Sequence, residues 1–221
     1  MNPNTLVHSK LICVALNDSE QLKKMSDTFN EKPYVKPPTQ PVLYYKPRNT
    51  WSTDGAVVDW AKDFDGVDVA EMAVGGSLGV VIGKETCRVS EADALNYVKG
   101  YTVVAEYSLP EQTYFRPDIK GKCLDNSAPV GPAVVSPVGL SPDSLTVDVA
   151  VNGNVKSSFP LTQMERSVAT LIHTLSYIMT LQEGEVIAVG FYGDRVAVAK
   201  GDKVAISIEG VGTLNNTLGG A

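Results

Sequence analysis

Only one segment of this chain has the apolar periodicity of a long helix. Between residues 162 and 181, apolar side chains recur every three or four positions, which places them on one helical face. The other apolar segments are short and rich in β-branched residues, and about ten of them are predicted strands. Because the strands do not alternate with helices, the sequence predicts a β-rich α+β fold with one long helix.

The remaining predicted elements are short. An Asn-Gly pair at residues 152–153 predicts a tight hairpin turn. Short helices are predicted at 20–29 and 90–97, and four prolines between residues 31 and 41 predict an extended connector. Residues 1–9 and 213–221 are predicted to be flexible ends of a single domain, 1–221, with its core at about 10–215. The predicted strands lie at 11–16, 42–45, 69–82 (as one strand or two), 101–107, 146–151, 154–158, 185–190 and 203–209.

Charge and cysteine usage narrow the class of protein. The formal net charge of −6 disfavours nucleic acid or an anionic membrane as the main partner, since both bind basic surfaces. No apolar run approaches the roughly 18 residues of a membrane span, and the N-terminus lacks a signal-peptide pattern. Cys13, Cys87 and Cys123 are odd in number and far apart, which is typical of reduced thiols. We therefore expect a cytoplasmic protein.

A glycine-rich stretch, residues 72–84, invites several interpretations. Residues 75–79 match the G-x-S-x-G pattern of hydrolase nucleophiles, but β-branched residues follow where that motif needs a helix. A phosphate loop would need Gly at Leu78 and a hydroxyl at Glu85. The two histidines, His8 and His173, are too scattered for a zinc site. We interpret the stretch as a glycine-rich strand.

Two loops carry groups suited to binding an anion. Lys46, Arg48 and Asn49 directly follow a predicted strand, where an arginine can bind a carboxylate with two hydrogen bonds. A solvated turn is the alternative for this segment. Arg116 and Asp125 lie in a proline-bounded stretch with two lysines and a glycine, which favours an anion-binding loop.

The motifs of this chain, and their order along it, resemble those of the fumarylacetoacetate hydrolase superfamily. Residues 46–50 and 109–111 are most similar to the N-terminal halves of bifunctional isomerase/decarboxylases of 4-hydroxyphenylacetate (homoprotocatechuate) breakdown. The resemblance implies a mixed β-roll of the family's C-terminal-domain type, a dimer or fused pseudo-dimer, and isomerase or decarboxylase (lyase) chemistry on 2-oxo acids. The matching segments are 14–17, 46–50, 80–84, 100–103, 114–117, 120–125, 181–187 and 200–204.

The resemblance also implies Mg²⁺ or Mn²⁺, held by Glu-x-Glu on one strand and an acidic residue on the next. Here Gly75 and Ser77 stand at the first two positions, and only Glu106 retains a carboxylate. Glu71 lies about 13 Å from Gly75 along a regular strand, too far to substitute. Since Mg²⁺ gives up its waters reluctantly, one carboxylate is not expected to hold it. We therefore expect a degenerate metal site with no metal ligand set and no cofactor.

Three hypotheses follow. In the first, the chain is an isomerase or decarboxylase of an unsaturated 2-oxo dicarboxylic acid, with Lys122 as electrophile or general acid and Glu106 as proton carrier. In the second, it is a metal-free subunit that pairs with a metal-binding paralogue rather than with a second copy of itself. In the third, Phe191 and Tyr192, which stand where relatives have Gly-Thr-Pro, reshape the pocket for another substrate. The expected substrate-binding residues are Lys46, Arg48, Asn49, Arg116, Asp125, Ser77 and Tyr192.

Overall fold

The computed structural model describes residues 9–111 and 113–219, and strands dominate it. The predicted β-rich α+β class is confirmed. The expected flexibility of residues 1–8 and 220–221 concerns positions outside the described residues. The strands are β1 (Leu11–Ala15), β2 (Val42–Lys46), β3 (Trp51–Thr53), β4 (Val57–Asp59), β5 (Met72–Ile82), β6 (Val98–Ser108), β7 (Ala128–Val135), β8 (Thr146–Val151), β9 (Asn154–Pro160), β10 (Val186–Ala188), β11 (Val196–Val198), β12 (Lys203–Ile208) and β13 (Gly212–Gly219).

The strands form two mixed sheets. The first has the order β2-β1-β10-β5-β6-β7-β3, and β11 also pairs with β5. The second has the order β4-β13-β12-β8-β9. Both contain parallel and antiparallel neighbours: β1 is parallel to β10, β4 is parallel to β13, and β5 is antiparallel to β6. The long antiparallel pair β5–β6 therefore lies at the middle of the first sheet.

The two sheets pack face to face at the glycine-rich strand. A Cβ atom added to Gly76 of β5 would lie 2.6 Å from Ile206 Cγ2 and 2.9 Å from Val147 Cγ1, on β12 and β8. Such distances are below van der Waals contact, so only glycine allows the sheets to approach this closely. One apolar core, to which both sheets contribute, fills the space between them.

The predicted long helix is shorter than the sequence suggests, and the prediction of 162–181 is wrong at both ends. The Ser167 hydroxyl accepts a 3.1 Å hydrogen bond from a backbone N–H of the first turn, which starts the helix there. Met179 is extended, and Leu181 pairs with Thr86 in an isolated bridge. The helices are α1 (Ser19–Lys24), α2 (Ser26–Phe29), α3 (Ile119–Lys122) and α4 (Val168–Ile178), with short 3-10 turns elsewhere.

Two further predictions differ from the structure, and one is confirmed. The sequence predicts a flexible end from residue 213, but β13 lies inside the second sheet, with Leu214 and Leu218 buried. The helix predicted at 90–97 is reduced to a 3-10 turn, Ala94–Tyr97. The hairpin turn is confirmed, because Asn152 and Gly153 both have the positive φ angles, 51° and 80°, that such turns require.

No helix in the described part of the chain is both long and apolar enough to cross a membrane.

Candidate active site

The pair β5–β6 positions the candidate site. Gly75 on β5 lies directly opposite Glu106 on β6 in the antiparallel register. Since side chains alternate along a strand, Gly75 and Ser77 share one face of β5, while Gly76 faces the second sheet. Directly opposite residues have Cβ atoms about 5 Å apart. A carboxylate on β6 therefore has a neighbour on β5 that carries no side chain.

The Glu106 carboxylate is fully buried and is surrounded by cations. Its Oε2 accepts hydrogen bonds of 2.8 Å from Arg195 Nη2 and 2.8 Å from the Tyr44 hydroxyl, and Lys122 Nζ lies 3.4 Å away. Lys46 Nζ lies 3.6 Å from Oε1. Burial raises the pKa of Glu106, but Arg195, Lys46 and Lys122 outweigh it and hold that pKa well below its usual range. Glu106 is therefore ionised at every physiological pH.

Lys46 is held in place beside the Glu106 carboxylate. Its Nζ donates hydrogen bonds to the Lys122 carbonyl oxygen and, at 3.3 Å, to Ser127 Oγ. The Trp51 indole donates a 2.7 Å hydrogen bond to the Lys46 carbonyl, which anchors the end of β2. Burial is the main cause that lowers the pKa of Lys46, although Glu106 opposes it. The contacts place Lys46 as an internal cation of the site.

Lys122 lies nearer the surface, between two carboxylates. It ends α3, whose first turn is capped by the Asp118 side chain through a 2.9 Å hydrogen bond from the Gly121 N–H. Lys122 Nζ lies 3.4 Å from Glu106 and 3.2 Å from Glu111 Oε2, and 4.8 Å from the Tyr44 ring centroid. Burial raises the pKa of Glu111, and Lys122 only partly offsets it.

Arg195 completes the cluster, and the sequence analysis did not identify it. Its guanidinium carbon lies 4.3 Å from the Phe191 ring centroid, a cation–π contact. A Cβ atom at Gly75 would lie 2.1 Å from Arg195 Nη1, so the guanidinium occupies the space where a side chain at position 75 would begin. Among the described residues, Nη1 has no hydrogen-bond partner. The sequence carries only an indirect signal for it. If Glu106 is buried without the metal ion that the resemblance implies, a cation from the chain must balance its charge.

The structure brings three predicted site residues together, Lys46, Glu106 and Lys122, but it leaves the loop residues at the surface. Asn49 is exposed, and its Nδ2 donates hydrogen bonds to Cys123 O at 3.0 Å and Asp125 Oδ1 at 2.6 Å. These bonds tie two loops together, which is a structural role.

The two predicted arginines also lie outside the cluster. Arg48 is exposed, beside a surface cavity of about 350 Å³ that includes Tyr45 and Trp51. Arg116 is exposed and lines another cavity, of about 340 Å³, with Leu109 and Lys120. Neither arginine forms an ion pair with a carboxylate within the ranges 9–111 and 113–219.

Ser77 shares a strand face with Gly75, and Tyr192 lines a small cavity together with Gly75 and Arg195. The buried Ser77 hydroxyl donates to Leu78 O at 3.2 Å and accepts from the Gly190 N–H at 3.3 Å, so both of its hydrogen bonds go to backbone. Tyr192 is partly buried, with its ring centroid 5.8 Å from that of Phe159. Ser77 is therefore held by backbone, and Tyr192 lines the same small cavity as Arg195.

The residues present do not fit the divalent metal that the resemblance implies. Gly75 offers no side-chain oxygen, the Ser77 hydroxyl is engaged with backbone, and Glu106 already contacts three cations. Within the residues that the structure describes, no group of three or more His, Cys, Asp or Glu side chains could hold a metal ion. A divalent ion would need oxygen ligands and would be repelled by the neighbouring ammonium and guanidinium groups.

The arrangement suits an anionic ligand instead. Three cations, Lys46, Lys122 and Arg195, face two carboxylates, Glu106 and Glu111, so the cluster carries an excess positive charge. In a buried setting such charges act on a ligand far more strongly than in water. Part of the Arg195, Glu111 and Lys122 side chains remains accessible, at 20%, 15% and 7%. These three partly accessible groups form the open side of the site, which is called the cleft below.

Comparison with known sequences places this cleft in a family context. The sequence model described as "Fumarylacetoacetate (FAA) hydrolase C-terminal" matches residues 10–219. The 4-hydroxyphenylacetate degradation bifunctional isomerase/decarboxylase of Escherichia coli is 32% identical over 206 residues, covering 93% of this chain and 46% of the relative. The oxaloacetate tautomerase of Bacillus subtilis (strain 168) is 34% identical, covering 95% and 69%. The chain thus spans about half the length of the bifunctional relatives it matches.

Solved structures share the fold. The 5-carboxymethyl-2-hydroxymuconate delta-isomerase from Mycobacterium smegmatis superposes with a TM-score of 0.81 at 26% identity, covering 98% of this chain and 80% of that one. The fumarylpyruvate hydrolase from Pseudomonas aeruginosa, in complex with Mn²⁺ and pyruvate, superposes with a TM-score of 0.79 at 22% identity, covering 100% and 93%. At that identity the second likeness concerns the fold alone.

Proposed function

Because this chain belongs to the fumarylacetoacetate hydrolase family, whose members similar to it include isomerases and decarboxylases of aromatic catabolism, we propose that it is an isomerase or decarboxylase (lyase) of an unsaturated, enolisable 2-oxo dicarboxylic acid. The observation that carries the proposal is the cation-rich cleft around Glu106. It offers positive charge for two carboxylates and for the oxygen on which an enolate forms.

Within this proposal, Lys122 acts on the substrate carbonyl. Keto–enol isomerisation removes a proton from the carbon next to the carbonyl. The electron pair of that C–H bond forms the C=C bond of the enolate, and the π pair of the carbonyl moves to its oxygen. The Lys122 ammonium lies at the mouth of the cleft and can hydrogen-bond to that oxygen or protonate it. In decarboxylation the electron pair of the breaking C–CO₂ bond takes the same path. Lys122 thus keeps the role expected from the sequence.

The proton role moves from Glu106 to Glu111. Glu106 was expected to carry a proton, but its strongly lowered pKa makes it a weak base, and we assign it the role of holding the cations in place. Glu111 lies 3.2 Å from Lys122 Nζ, is partly accessible, and has a pKa that burial raises. A carboxylate with a raised pKa accepts and returns a carbon-bound proton more readily.

The test is a direct assay of the purified chain. The keto and enol forms of oxaloacetate, a small 2-oxo dicarboxylic acid, differ in ultraviolet absorbance, so their interconversion can be followed continuously. We expect Lys122→Ala to lower the rate roughly 100-fold or more, as for loss of a general acid. Lys156→Ala, at an exposed position of β9, is the matched control and should retain wild-type activity. Full activity in Lys122→Ala would remove Lys122 from the mechanism, and pyruvate in the product would identify decarboxylation.

A second candidate function is that of a metal-free subunit which completes a site with a metal-binding paralogue. Two observations favour it: the described residues do not fit a divalent ion, and the chain matches only about half the length of the bifunctional relatives. Native mass spectrometry of the chain, alone and co-expressed with a paralogue that carries Glu-x-Glu, separates the two cases. A homodimer that is active alone supports the first proposal, whereas activity only in the mixed dimer supports this one.

For both candidate functions we propose a cytoplasmic location, because the cysteines are free thiols. Cys13, Cys87 and Cys123 are all unpaired, and Cys13 lies buried beside the cluster, where burial raises its pKa to about 12. Unpaired cysteines are typical of reducing compartments. Cell fractionation with an antibody to the chain would test the location.

A further inference from the structure

The Arg195 guanidinium fills a place that the strand pair leaves open for it. A Cβ atom at Gly75 would lie 2.1 Å from Nη1, 2.8 Å from Cζ and 3.0 Å from Cδ, so any side chain at position 75 would displace the arginine. Directly across the sheet, Glu106 accepts the 2.8 Å hydrogen bond from Nη2. The missing side chain at Gly75 of β5 therefore leaves the space in which the Arg195 guanidinium lies against Glu106.

This arginine is held firmly, yet part of its hydrogen-bonding capacity is not used by the described residues. The Phe191 ring covers one face of the guanidinium, and Glu106 fixes one of its edges. Nη1 is buried without a hydrogen-bond acceptor among the described residues, and Glu106 Oε1 accepts no hydrogen bond there, although Lys46 Nζ lies 3.6 Å from it. Buried polar atoms without partners are rare in native structures and point to a bound group or solvent that satisfies them. About a fifth of the Arg195 side chain is accessible at the mouth of the cleft.

We propose that Arg195 is the resident cation of this cleft, standing where relatives place a divalent ion, so that the chain binds the dianion of a 2-oxo acid without any metal. The inference rests on the proposed function for the identity of the ligand. An arginine provides planar, paired donors that match a carboxylate or a 1,2-dioxygen edge, and it stays charged at every accessible pH. Its charge, with those of Lys46 and Lys122, replaces that of the ion on an enolate oxygen.

The first experiment measures binding without turnover. Oxalate, a non-enolisable dianion with a 1,2-dioxygen edge, is titrated calorimetrically into protein freed of metal with EDTA. We expect saturable binding to the wild type, at least a tenfold loss of affinity in Arg195→Ala, and an intermediate affinity in Arg195→Lys, which keeps the charge but loses the paired donors. Lys156→Ala should bind like the wild type. No binding by metal-free wild type, or equal binding by Arg195→Ala, would overturn the inference.

The second experiment asks whether the arginine and the metal exclude each other. The triple variant Gly75→Glu, Ser77→Glu, Arg195→Ala restores three carboxylates with Glu106, and we expect it to gain Mn²⁺ binding in electron paramagnetic resonance titrations. The double variant Gly75→Glu, Ser77→Glu, which keeps Arg195, should bind Mn²⁺ at least tenfold more weakly. Equal Mn²⁺ affinity in the two variants would count against Arg195 as the replacement. Circular dichroism melts establish that each variant is folded before it is scored.

The inference and the proposed function fail in different ways. Metal-free, Arg195-dependent oxalate binding without isomerase activity would leave the inference standing and refute the function. Isomerase activity that EDTA abolishes and Mn²⁺ restores would leave the function standing and refute the inference.

Discussion

Two glutamates of the cleft, Glu106 and Glu111, have pKa values that their surroundings shift in opposite directions. Glu106 contacts three cations, which lower its pKa in spite of complete burial. Glu111 is also largely buried, but among the described residues its one ion pair is with Lys122, and burial raises its pKa. When two carboxyl groups are separated in this way, one serves as a permanent charge and the other can exchange protons. In the proposed mechanism, Glu106 therefore supplies a fixed charge and Glu111 transfers the proton.

At the residue scale, we predict that Glu111→Gln lowers isomerase activity about 100-fold, the usual effect of losing a general base. A base works in its ionised form, so wild-type kcat/KM should fall as the pH drops through the raised pKa of Glu111, which lies above the 4.5 of a free carboxyl group. The variant should lack this acidic limb. The measurement is kcat/KM against pH for wild type, Glu111→Gln and the exposed control Glu209→Gln. A variant that keeps both the rate and the acidic limb would contradict the assignment.

Sequence reasoning located part of this cleft and missed the rest, for physical reasons. Lys46 was found because it directly follows a predicted strand, whereas Glu106 and Lys122 were found because the family resemblance places them at a metal-ligand and a lysine position of the site. Arg195 has no such motif, since it follows β10 in an irregular turn, and only the three-dimensional register places it over Gly75. Arg48 and Arg116 have suitable chemistry for anions, but local chain direction leaves them exposed.

At the scale of the element, β5 shows how one strand serves the site with one face and the core with the other. Gly75 makes room for a flexible side chain that ends in a guanidinium, whereas Gly76 makes room for the branched side chains Ile206 and Val147 of the second sheet. A flexible side chain can shift to admit a methyl group while it keeps its ion pair with Glu106, whereas packed core residues cannot. The two neighbouring glycines are therefore needed for different reasons.

We predict opposite effects for alanine at these two positions. Gly76→Ala should cost about 1–3 kcal/mol of unfolding free energy through overpacking, with ligand binding little changed in the folded protein. Gly75→Ala should cost less stability, because Arg195 can move, but should weaken oxalate binding about tenfold or more. Urea unfolding and calorimetry measure both quantities on each variant. If Gly75→Ala left oxalate affinity unchanged, the position of Arg195 over Gly75 would be unimportant.

The start of α4 gives a second prediction at this scale. The Ser167 hydroxyl accepts a 3.1 Å hydrogen bond from the Thr170 N–H. Ser167→Ala removes this cap and should cost about 1 kcal/mol of unfolding free energy. Ser144→Ala, at an exposed hydroxyl that bonds only to the Ser141 carbonyl, is the control and should cost less. A negligible cost at Ser167 would mean that the Asp143 carboxylate, which accepts from the Val168 N–H, caps the helix alone.

Element boundaries were harder to predict than element types. The apolar stripe continues beyond α4 because Met164 and Met179 pack on the same core from non-helical segments. Periodicity alone cannot separate such residues from the helix that they flank. In β13 the alternation of Leu214 and Leu218 with polar residues was hidden by a glycine-rich, polar composition. The partners β12 and β4 supply the hydrogen bonds that fix this strand, and these are tertiary information.

At the scale of the whole molecule, an acidic protein encloses a cation-rich centre. The formal charge is −6, yet Lys46, Lys122 and Arg195 converge on one buried carboxylate between the strands of the first sheet. The buried cations are tolerated because Glu106 pairs with them, and removal of one partner from such a network leaves uncompensated charge in the interior. The ionised Glu106 therefore stabilises the fold by balancing the charge of the cations in the cleft.

We predict that Glu106→Gln destabilises the whole molecule by about 3–5 kcal/mol at neutral pH, the usual effect of breaking a buried ion pair. Gln has nearly the same shape, so the loss reports the charge. The folded pKa of Glu106 lies well below the value of 4.5 for a free carboxyl, so its stabilising contribution is complete above about pH 4.5 and is lost as the pH falls towards the folded pKa. Urea unfolding between pH 7 and pH 3 should therefore show the gap between wild type and variant narrowing below about pH 4.5. Glu209→Gln should show no gap at any pH, and a gap for Glu106→Gln that stayed constant down to pH 3 would mean that shape, not charge, is what this carboxylate contributes.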